Sequence, residues 1–137
     1  MSYGYSFPTY NKDTMVRVMG RDIPISTKHS IELCTSLRNK NIAIAKRILE
    51  DAIDEKRPIP FHRYTNGLGH KPGMASGRFP RKACEQFLSM VKSLETNGQQ
   101  KGFNTAYLVL IHAVANKASR PYRPSRQRGR RMKNTHV

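Results

Sequence analysis

Basic side chains are the main candidates for a binding function in this sequence, and they are densest towards its C-terminal end. From Lys117 to Val137 the chain carries eight Lys or Arg residues and no Asp or Glu. Over 137 residues it holds 25 basic and 9 acidic side chains, a formal net charge of +16. Such a charge repels itself unless a polyanion neutralises it. The composition therefore favours binding to phosphate groups, and nucleic acid is the commonest partner that carries them.

A second basic stretch, residues 56–82, contains seven Lys or Arg, two His and four Gly, again without an acid. A Gly-rich backbone can approach phosphates, cations neutralise them, and rings can stack on unpaired bases. Phe61, Tyr64 and His70 are interleaved with the cations and are the candidates for stacking. Gly67 to Gly69 lacks the spacing of a nucleotide-binding loop. RNA is therefore the expected ligand, and a merely solvated loop is the alternative that charge alone leaves open.

Catalytic and metal-binding patterns are absent from the sequence. It contains no GxSxG, HExxH or Walker motif, and its acids do not cluster with its histidines. Four of the nine acids fall within residues 50–55, where a solvated helix face is their expected role. Cys34 and Cys84 have no CxxC spacing and are expected to be buried, reduced thiols. We predict that the chain is not an enzyme and has no catalytic residue, metal or cofactor.

Three helices are predicted to position the basic segments. Three segments show apolar residues at helical spacing. Each is preceded by a residue that favours a helix N-terminus: Ser26 or Thr27 for the first, Asn41 for the second and Pro80 for the third. Asn97-Gly98 is expected to end the third helix.

Two strands are predicted beside the helices. Residues 14–19 alternate, and residues 107–115 are apolar on both faces, so helices should cover at least one side of the latter. Residues 56–82 are expected to be mainly loop, with a short extended piece at 59–64. His112 is expected to be a core or edge histidine. The predicted organisation is a globular part at 1–104, which includes the basic loop, followed by a sheet strand and an extended basic hairpin at 105–137.

Membrane association is not expected. No apolar run is long enough to span a bilayer, and the prolines of the basic tail oppose an amphipathic helix. The N-terminal residues lack the pattern of a signal peptide. We therefore expect a soluble, intracellular chain.

Several motifs occur in an order that is similar to a known family. They are "GRDIPISTKHSIELCTSLRNKNIAIAKRILEDAI", "KRPIPFHRY", "GLGHKPG" and "GRFPRKACEQFL", followed by the apolar strand and its basic extension. From Gly20 to His136 the chain resembles the universal large-subunit ribosomal protein numbered twenty-two, in its archaeal form, whose eukaryotic counterpart is numbered seventeen. The glycine-rich block is the most specific part of the resemblance.

The resemblance implies an α+β fold in which three helices pack on a small antiparallel sheet and a long β-hairpin protrudes. It implies a structural, non-enzymatic component of the large ribosomal subunit, located on cytoplasmic ribosomes. Such a protein would bind large-subunit ribosomal RNA, support assembly and line the polypeptide exit tunnel with its hairpin. Its partners would be that RNA, neighbouring large-subunit proteins and the nascent polypeptide. The alternative is a free-standing basic nucleic-acid-binding protein with a disordered C-terminal tail.

Site residues follow from the same resemblance. The outgoing hairpin arm would run from Ala106 to Arg120, and the return arm would begin at Asn134, Thr135 and His136. In the family the return strand continues further, whereas this sequence stops at Val137, so the resemblance implies either incomplete pairing of the return arm or a truncated product. The tip would comprise Tyr122, Arg123, Pro124, Arg126, Arg128, Gly129 and Arg130. The RNA-binding residues would be His70, Lys71, Arg78, Arg81, Lys82, Lys117, Arg120, Arg123, Arg126, Arg128, Arg130, Arg131 and Lys133.

Overall fold

A computed structural model describes residues 5–119, 122–124, 131–133 and 137 of the chain. These residues form three α-helices and two small antiparallel sheets. In chain order the elements are α1 (Thr27–Leu37), α2 (Ile42–Ile53), β1 (Ile59–Pro60), β2 (His70–Lys71), β3 (Met74–Arg78), α3 (Arg81–Gln100), β4 (Tyr122–Pro124) and β5 (Arg131–Lys133). A short 3-10 helix, Thr105–Tyr107, follows α3. The predicted α+β class, with three helices and a small antiparallel sheet, is confirmed.

Polar side chains fix the beginnings of the first two helices. The Ser26 hydroxyl accepts the backbone N–H of His29 at 3.5 Å, and the Asn41 side chain accepts that of Ala43 at 2.9 Å. Each satisfies one of the donors that a helix N-terminus leaves unpaired. Both caps are as predicted, and Pro80 precedes α3 as predicted.

The third helix continues past the residues that were expected to end it. Gly98 lies buried inside α3, and the chain turns only at Gly102, where φ is 77°. A Cβ atom on Gly98 would lie 2.9 Å from Leu108 Cδ1. The close approach of the following segment therefore accounts for this glycine, and the prediction that Asn97-Gly98 ends the helix was wrong.

The hydrophobic core lies where α2 packs along α3, while α1 packs against β1 and α3. Lys46 of α2 and Glu95 of α3 form an ion pair across the first of these contacts. Burial of apolar side chains between the helices is the main source of stability in such a fold. One cluster of fully or nearly buried apolar residues comprises Ile25, Leu33, Leu37, Ile42, Ala45, Leu49, Ala52, Ile59, Phe61, Ala83, Cys84, Val91 and Leu110.

The first sheet is built from residues that were expected to be mainly loop. Its central strand is β3, which pairs antiparallel with β1 on one side and β2 on the other. The pairs are Ile59 with Arg78, Pro60 with Gly77, His70 with Ser76, and Lys71 with Met74. Residues 56–82 therefore contain three strands. Strands of two residues are too short to show the alternation by which a sequence signals a strand.

Close packing at Gly77 gives a test of this sheet. A Cβ atom there would lie 2.7 Å from Met74 Sδ and 3.3 Å from the Ile59 carbonyl oxygen. Gly77→Ala is therefore expected to lower the free energy of unfolding by about 1–3 kcal/mol, as overpacking does. Gly69→Ala is the control, because nothing lies within 4 Å of its Cβ position. Urea denaturation of both variants checks this, and equal midpoints would contradict the packing.

The predicted strand at residues 14–19 is not part of a sheet. Side-chain contacts hold this region instead, because the Lys101 ammonium donates to the carbonyl oxygens of Lys12 at 2.9 Å and Met15 at 3.0 Å. The alternation of residues 14–19 indicated a strand, but the backbone of a strand needs a paired neighbour as well.

The segment 107–115 pairs along one edge at a few positions. A single isolated bridge joins Val109 to Asn41, and the Leu110 backbone exchanges hydrogen bonds of 2.8 and 2.7 Å with the loop between α1 and α2. Leu110 turns into the core, whereas Val109 and Ile111 are 50% and 55% exposed. The predicted strand is thus reduced to one bridge, and the core covers only one of its faces.

The basic tail contains a second antiparallel pair, β4 with β5. The paired residues are Tyr122 with Lys133, Arg123 with Met132, and Pro124 with Arg131. Three residues that were predicted for the hairpin tip thus form one strand of this pair. The expected start of the return arm, at 134–136, lies outside the described residues, as do Arg120, Arg126, Arg128, Gly129 and Arg130. The long protruding hairpin stays a prediction.

The last residue contacts the N-terminal region. The backbone N–H and C=O of Val137 exchange two hydrogen bonds with Ile23, at 2.9 and 2.8 Å. The Val137 side chain also packs against the core.

Candidate nucleic-acid interface

Five predicted RNA-binding residues lie on the first sheet and at the start of α3. They are His70 and Lys71 on β2, Arg78 on β3, and Arg81 and Lys82 in α3. All are exposed except Lys71, which is half-buried with its ammonium 5.5 Å from the Phe79 ring. Arg81 also meets Glu55 at 3.5 Å in an exposed ion pair, a kind that contributes little. Strand pairing therefore brings β2 beside β3, and the role of these residues in RNA binding stays a prediction.

The predicted tail contacts are described only in part. Lys117 is exposed, Arg123 lies on β4, and Arg131 and Lys133 lie on β5. Pairing of β4 with β5 places Arg123 opposite Met132 and Lys133 opposite Tyr122.

A cavity of about 200 Å³ lies beside the first turn of α1. We refer to it as the α1 cavity. Three parts of the chain line it: the start of α1, the turn after β1 and the end of β3. The polar, charged and aromatic side chains of its lining include Lys28, His29, Arg63, Tyr64, Asn66 and Arg78.

Positive charge dominates the α1 cavity, whose lining includes no Asp or Glu. The Lys28 ammonium and the Arg63 guanidinium lie 5.6 and 5.4 Å from the centre of the Tyr64 ring. Burial lowers the pKa of His29, and the charge of Arg78 lowers it further, so this imidazole is neutral at pH 7. The lining can therefore attract an anion through Lys28, Arg63 and Arg78.

A buried carboxylate holds one wall of the cavity in place. Glu32 of α1 is 1% exposed and accepts the backbone N–H groups of His62, Arg63 and Tyr64 at 3.1, 2.8 and 2.9 Å. Burial alone would raise the pKa of Glu32, but these three hydrogen bonds and the nearby His62 outweigh it and lower the pKa. The charge of Glu32 thus fixes the 62–64 backbone on α1 and with it Arg63 and Tyr64.

The candidates for base stacking differ in how accessible they are. Phe61 is 4% exposed and its ring meets that of His29 at 5.5 Å, so the prediction that Phe61 could stack on a base was wrong. Tyr64 is half-buried at the cavity, and His70 is exposed on β2. Sequence reasoning missed the cations Lys28 and Arg63, because no local pattern signals that Glu32 joins their two segments.

The two cysteines are packed in the interior, whereas His112 lies at the surface. Cys34 and Cys84 are free and buried, as predicted, and burial raises their pKa values to about 11 and about 12. Neither is therefore a thiolate near neutral pH. His112 is exposed rather than in the core, with its ring 5.2 Å from that of Phe7.

The described part of the chain contains neither a group of possible metal ligands nor a membrane-spanning helix. It holds no group of three side chains that could share a metal ion. None of its helices is long and apolar enough to cross a bilayer.

Comparison with known proteins identifies the family. A family model described as ribosomal protein L22p/L17e matches residues 18–136. The large ribosomal subunit protein uL22 of Archaeoglobus fulgidus is 36% identical over 116 residues, which are 82% of this chain and 75% of the relative. That of Cenarchaeum symbiosum is 35% identical over 117 residues, 84% and 77% of the two chains. That of Methanocaldococcus jannaschii is 38% identical over 110 residues, 78% and 70%. The family model and the relatives each match most of this sequence, so the chain belongs to the ribosomal protein L22p/L17e family of the large ribosomal subunit.

Proposed function

We propose that this large-subunit ribosomal protein binds large-subunit ribosomal RNA, supports assembly of the subunit and lines the polypeptide exit tunnel with its basic C-terminal hairpin. The observation that carries the proposal is the separation of charge along the chain. Two segments without acids, residues 56–82 and 117–137, hold 15 of the 25 basic side chains. Phosphates are the groups that such surfaces bind.

Family membership settles two simpler points. Members are structural components of the ribosome, so the chain is not an enzyme, as predicted, and it works in the cytoplasm as part of that particle.

The globular part, residues 1–104, would anchor the protein on RNA. Exposed cations lie on α1, β3 and α3, and Arg63 lies on the turn that Glu32 holds, so their backbone positions are fixed relative to one another. Glu50 in α2 and Asp54 directly after it are exposed and would face away from the RNA.

The tail, residues 105–137, would form the tunnel hairpin. Pairing of β4 with β5 supports a hairpin in this region. A two-stranded ribbon has no core of its own, so a surrounding RNA surface would keep it ordered. The nascent polypeptide and neighbouring large-subunit proteins are the further partners that we propose.

Sedimentation tests the ribosomal assignment. Tagged protein expressed in cells should remain with large subunits after a high-salt wash, because contacts made during assembly become buried between RNA segments. An equimolar amount added to finished subunits is the control, and it should be released by the same wash. Release of most of the cellular protein by nonspecific competitor RNA would contradict the proposal and favour a free-standing nucleic-acid-binding protein.

A further inference from the structure

The cations of the α1 cavity have no counter-charge within the described chain. Among the described residues, Lys28, Arg63 and Arg78 take part in none of the ion pairs, which join other residues. The carboxylate of Glu32, which holds one wall of the cavity, accepts three backbone N–H groups instead. Charges that converge without an internal partner favour an anion from outside.

The rest of the lining suits a nucleobase. Tyr64 offers an aromatic face, Asn66 an amide with donors and an acceptor, and neutral His29 one donor and one acceptor. A site for phosphate alone needs only the cations. The aromatic and amide groups match the face and the edge of a base.

The size of the cavity limits what can enter. Its volume of about 200 Å³ is several times the share of a water molecule in liquid water, about 30 Å³. It is smaller than the pockets of about 300–1,000 Å³ that enclose drug-sized ligands. A double helix cannot enter a concavity of this size, whereas one splayed-out base can.

The walls are fixed before any RNA arrives. Glu32 holds the backbone of Arg63 and Tyr64 against α1, and buried Phe61 supports the ring of His29. Ligand binding therefore needs little ordering of these residues, which favours affinity.

We propose that the α1 cavity receives one unpaired nucleotide of large-subunit ribosomal RNA, with its phosphate on Lys28, Arg63 and Arg78 and its base against Tyr64. This assignment rests on the proposed RNA binding and specifies where a single-stranded nucleotide is held. The base would contribute recognition that the charged tail cannot provide, because tail contacts to phosphates are independent of sequence.

An isosteric charge change tests the site. Asn66→Asp places a carboxylate in the lining without changing its shape, and it should weaken binding of transcribed large-subunit ribosomal RNA by about tenfold through repulsion of the phosphate. Gln99→Glu is the matched control: it makes the same charge change at an exposed position in the last turn of α3. Arg78 precedes the other end of this helix, about 30 Å away. Filter binding at fixed salt measures both affinities, and the control should bind like the wild type.

Crosslinking tests the base. Thiouridine-substituted ribosomal RNA, irradiated with the wild-type protein, should crosslink to the peptide that contains Tyr64. Tyr64→Leu, checked for folding by urea denaturation, should lose this crosslink and keep those of the tail.

Two results would overturn the assignment, and a third would contradict the proposed function on which it rests. Equal affinities of Asn66→Asp and Gln99→Glu would overturn the cavity as an RNA site. Weaker binding of Asn66→Asp without a crosslink at Tyr64 would overturn the nucleotide and leave a phosphate site. Failure of the wild type to bind the RNA at all would instead contradict the proposed function.

Discussion

Glu32→Ala is expected to lower the free energy of unfolding by about 3 kcal/mol, the largest effect on stability that we predict for a single polar residue. The substitution removes the acceptor of three backbone N–H groups at 2.8–3.1 Å. Each donor that is left without a partner costs about 1–3 kcal/mol when water cannot reach it. His62 and Arg63 have exposed side chains, so water can reach part of this backbone. The expected loss of stability is therefore smaller than the summed cost of three unpaired donors.

Urea denaturation of the full chain measures this effect. Glu85→Ala is the control, because Glu85 is an exposed acid on α3, and its loss should change the stability by less than about 0.5 kcal/mol. Glu32→Gln should fall between the two, since its amide retains one acceptor oxygen. A Glu32→Ala variant as stable as Glu85→Ala would show that the three hydrogen bonds do not hold the 62–64 turn.

Acid should weaken the wild type through the same residue. The pKa of Glu32 is lowered in the folded protein, so the unfolded chain binds its proton more readily. The stabilisation is therefore present above the ordinary glutamate pKa of about 4.3 and is lost as the pH falls through the lower folded value. Glu32→Gln lacks this dependence, and the difference in unfolding free energy between the two proteins should shrink on acidification. If the difference in unfolding free energy did not change with pH, the lowered pKa of Glu32 would be contradicted.

Replacing Arg126, Arg128 and Arg130 together by alanine is expected to weaken binding of large-subunit ribosomal RNA by about 100-fold at low salt. The three residues belong to the acid-free tail, and each would neutralise a phosphate. With about six phosphate contacts in the wild type, a plot of log affinity against log salt concentration should have a slope of about −4. For the variant, the slope should be about −2. Filter binding over a salt series measures both quantities.

The control removes three cations from elsewhere. Lys40, Arg47 and Lys92 are exposed, and their replacement by alanine lowers the formal net charge by the same amount. This variant should keep most of the affinity if binding depends on the tail. Equal losses in the two variants would show that only total charge matters. A tail variant that unfolds would show that these arginines do more than contact RNA.

The helices could be predicted because their signals are local. Ser26 and Asn41 cap α1 and α2 from adjacent positions in the sequence, and the apolar spacing of each helix lies within one continuous segment. Gly98 misled the prediction because its role depends on Leu108, which approaches it from the next segment. Family membership was also predictable, since its motifs are continuous stretches.

The strands and the cavity could be predicted only in part. The first sheet depends on pairing between strands as short as two residues, and nothing local fixes that pairing. The cations of residues 56–82 were visible in the sequence, but the α1 cavity exists because Glu32 contacts a backbone about thirty residues away. The accessibility of aromatic rings also depends on distant contacts. Phe61 and Tyr64 look alike in sequence, but packing buries the ring of Phe61 and leaves that of Tyr64 partly exposed.

The one-sided pairing of the segment 107–115 has a consequence for the protein before it joins a particle. On the outer side of this segment the backbone of Val109 and Ile111 has no hydrogen-bond partner among the described residues, and both side chains are about half exposed. Such edges allow copies of a chain to aggregate. The net charge of +16 opposes that, since two copies repel each other. Counter-ions that neutralise the charge remove this protection, so solubility of the free protein and its attraction to phosphate have the same electrostatic origin.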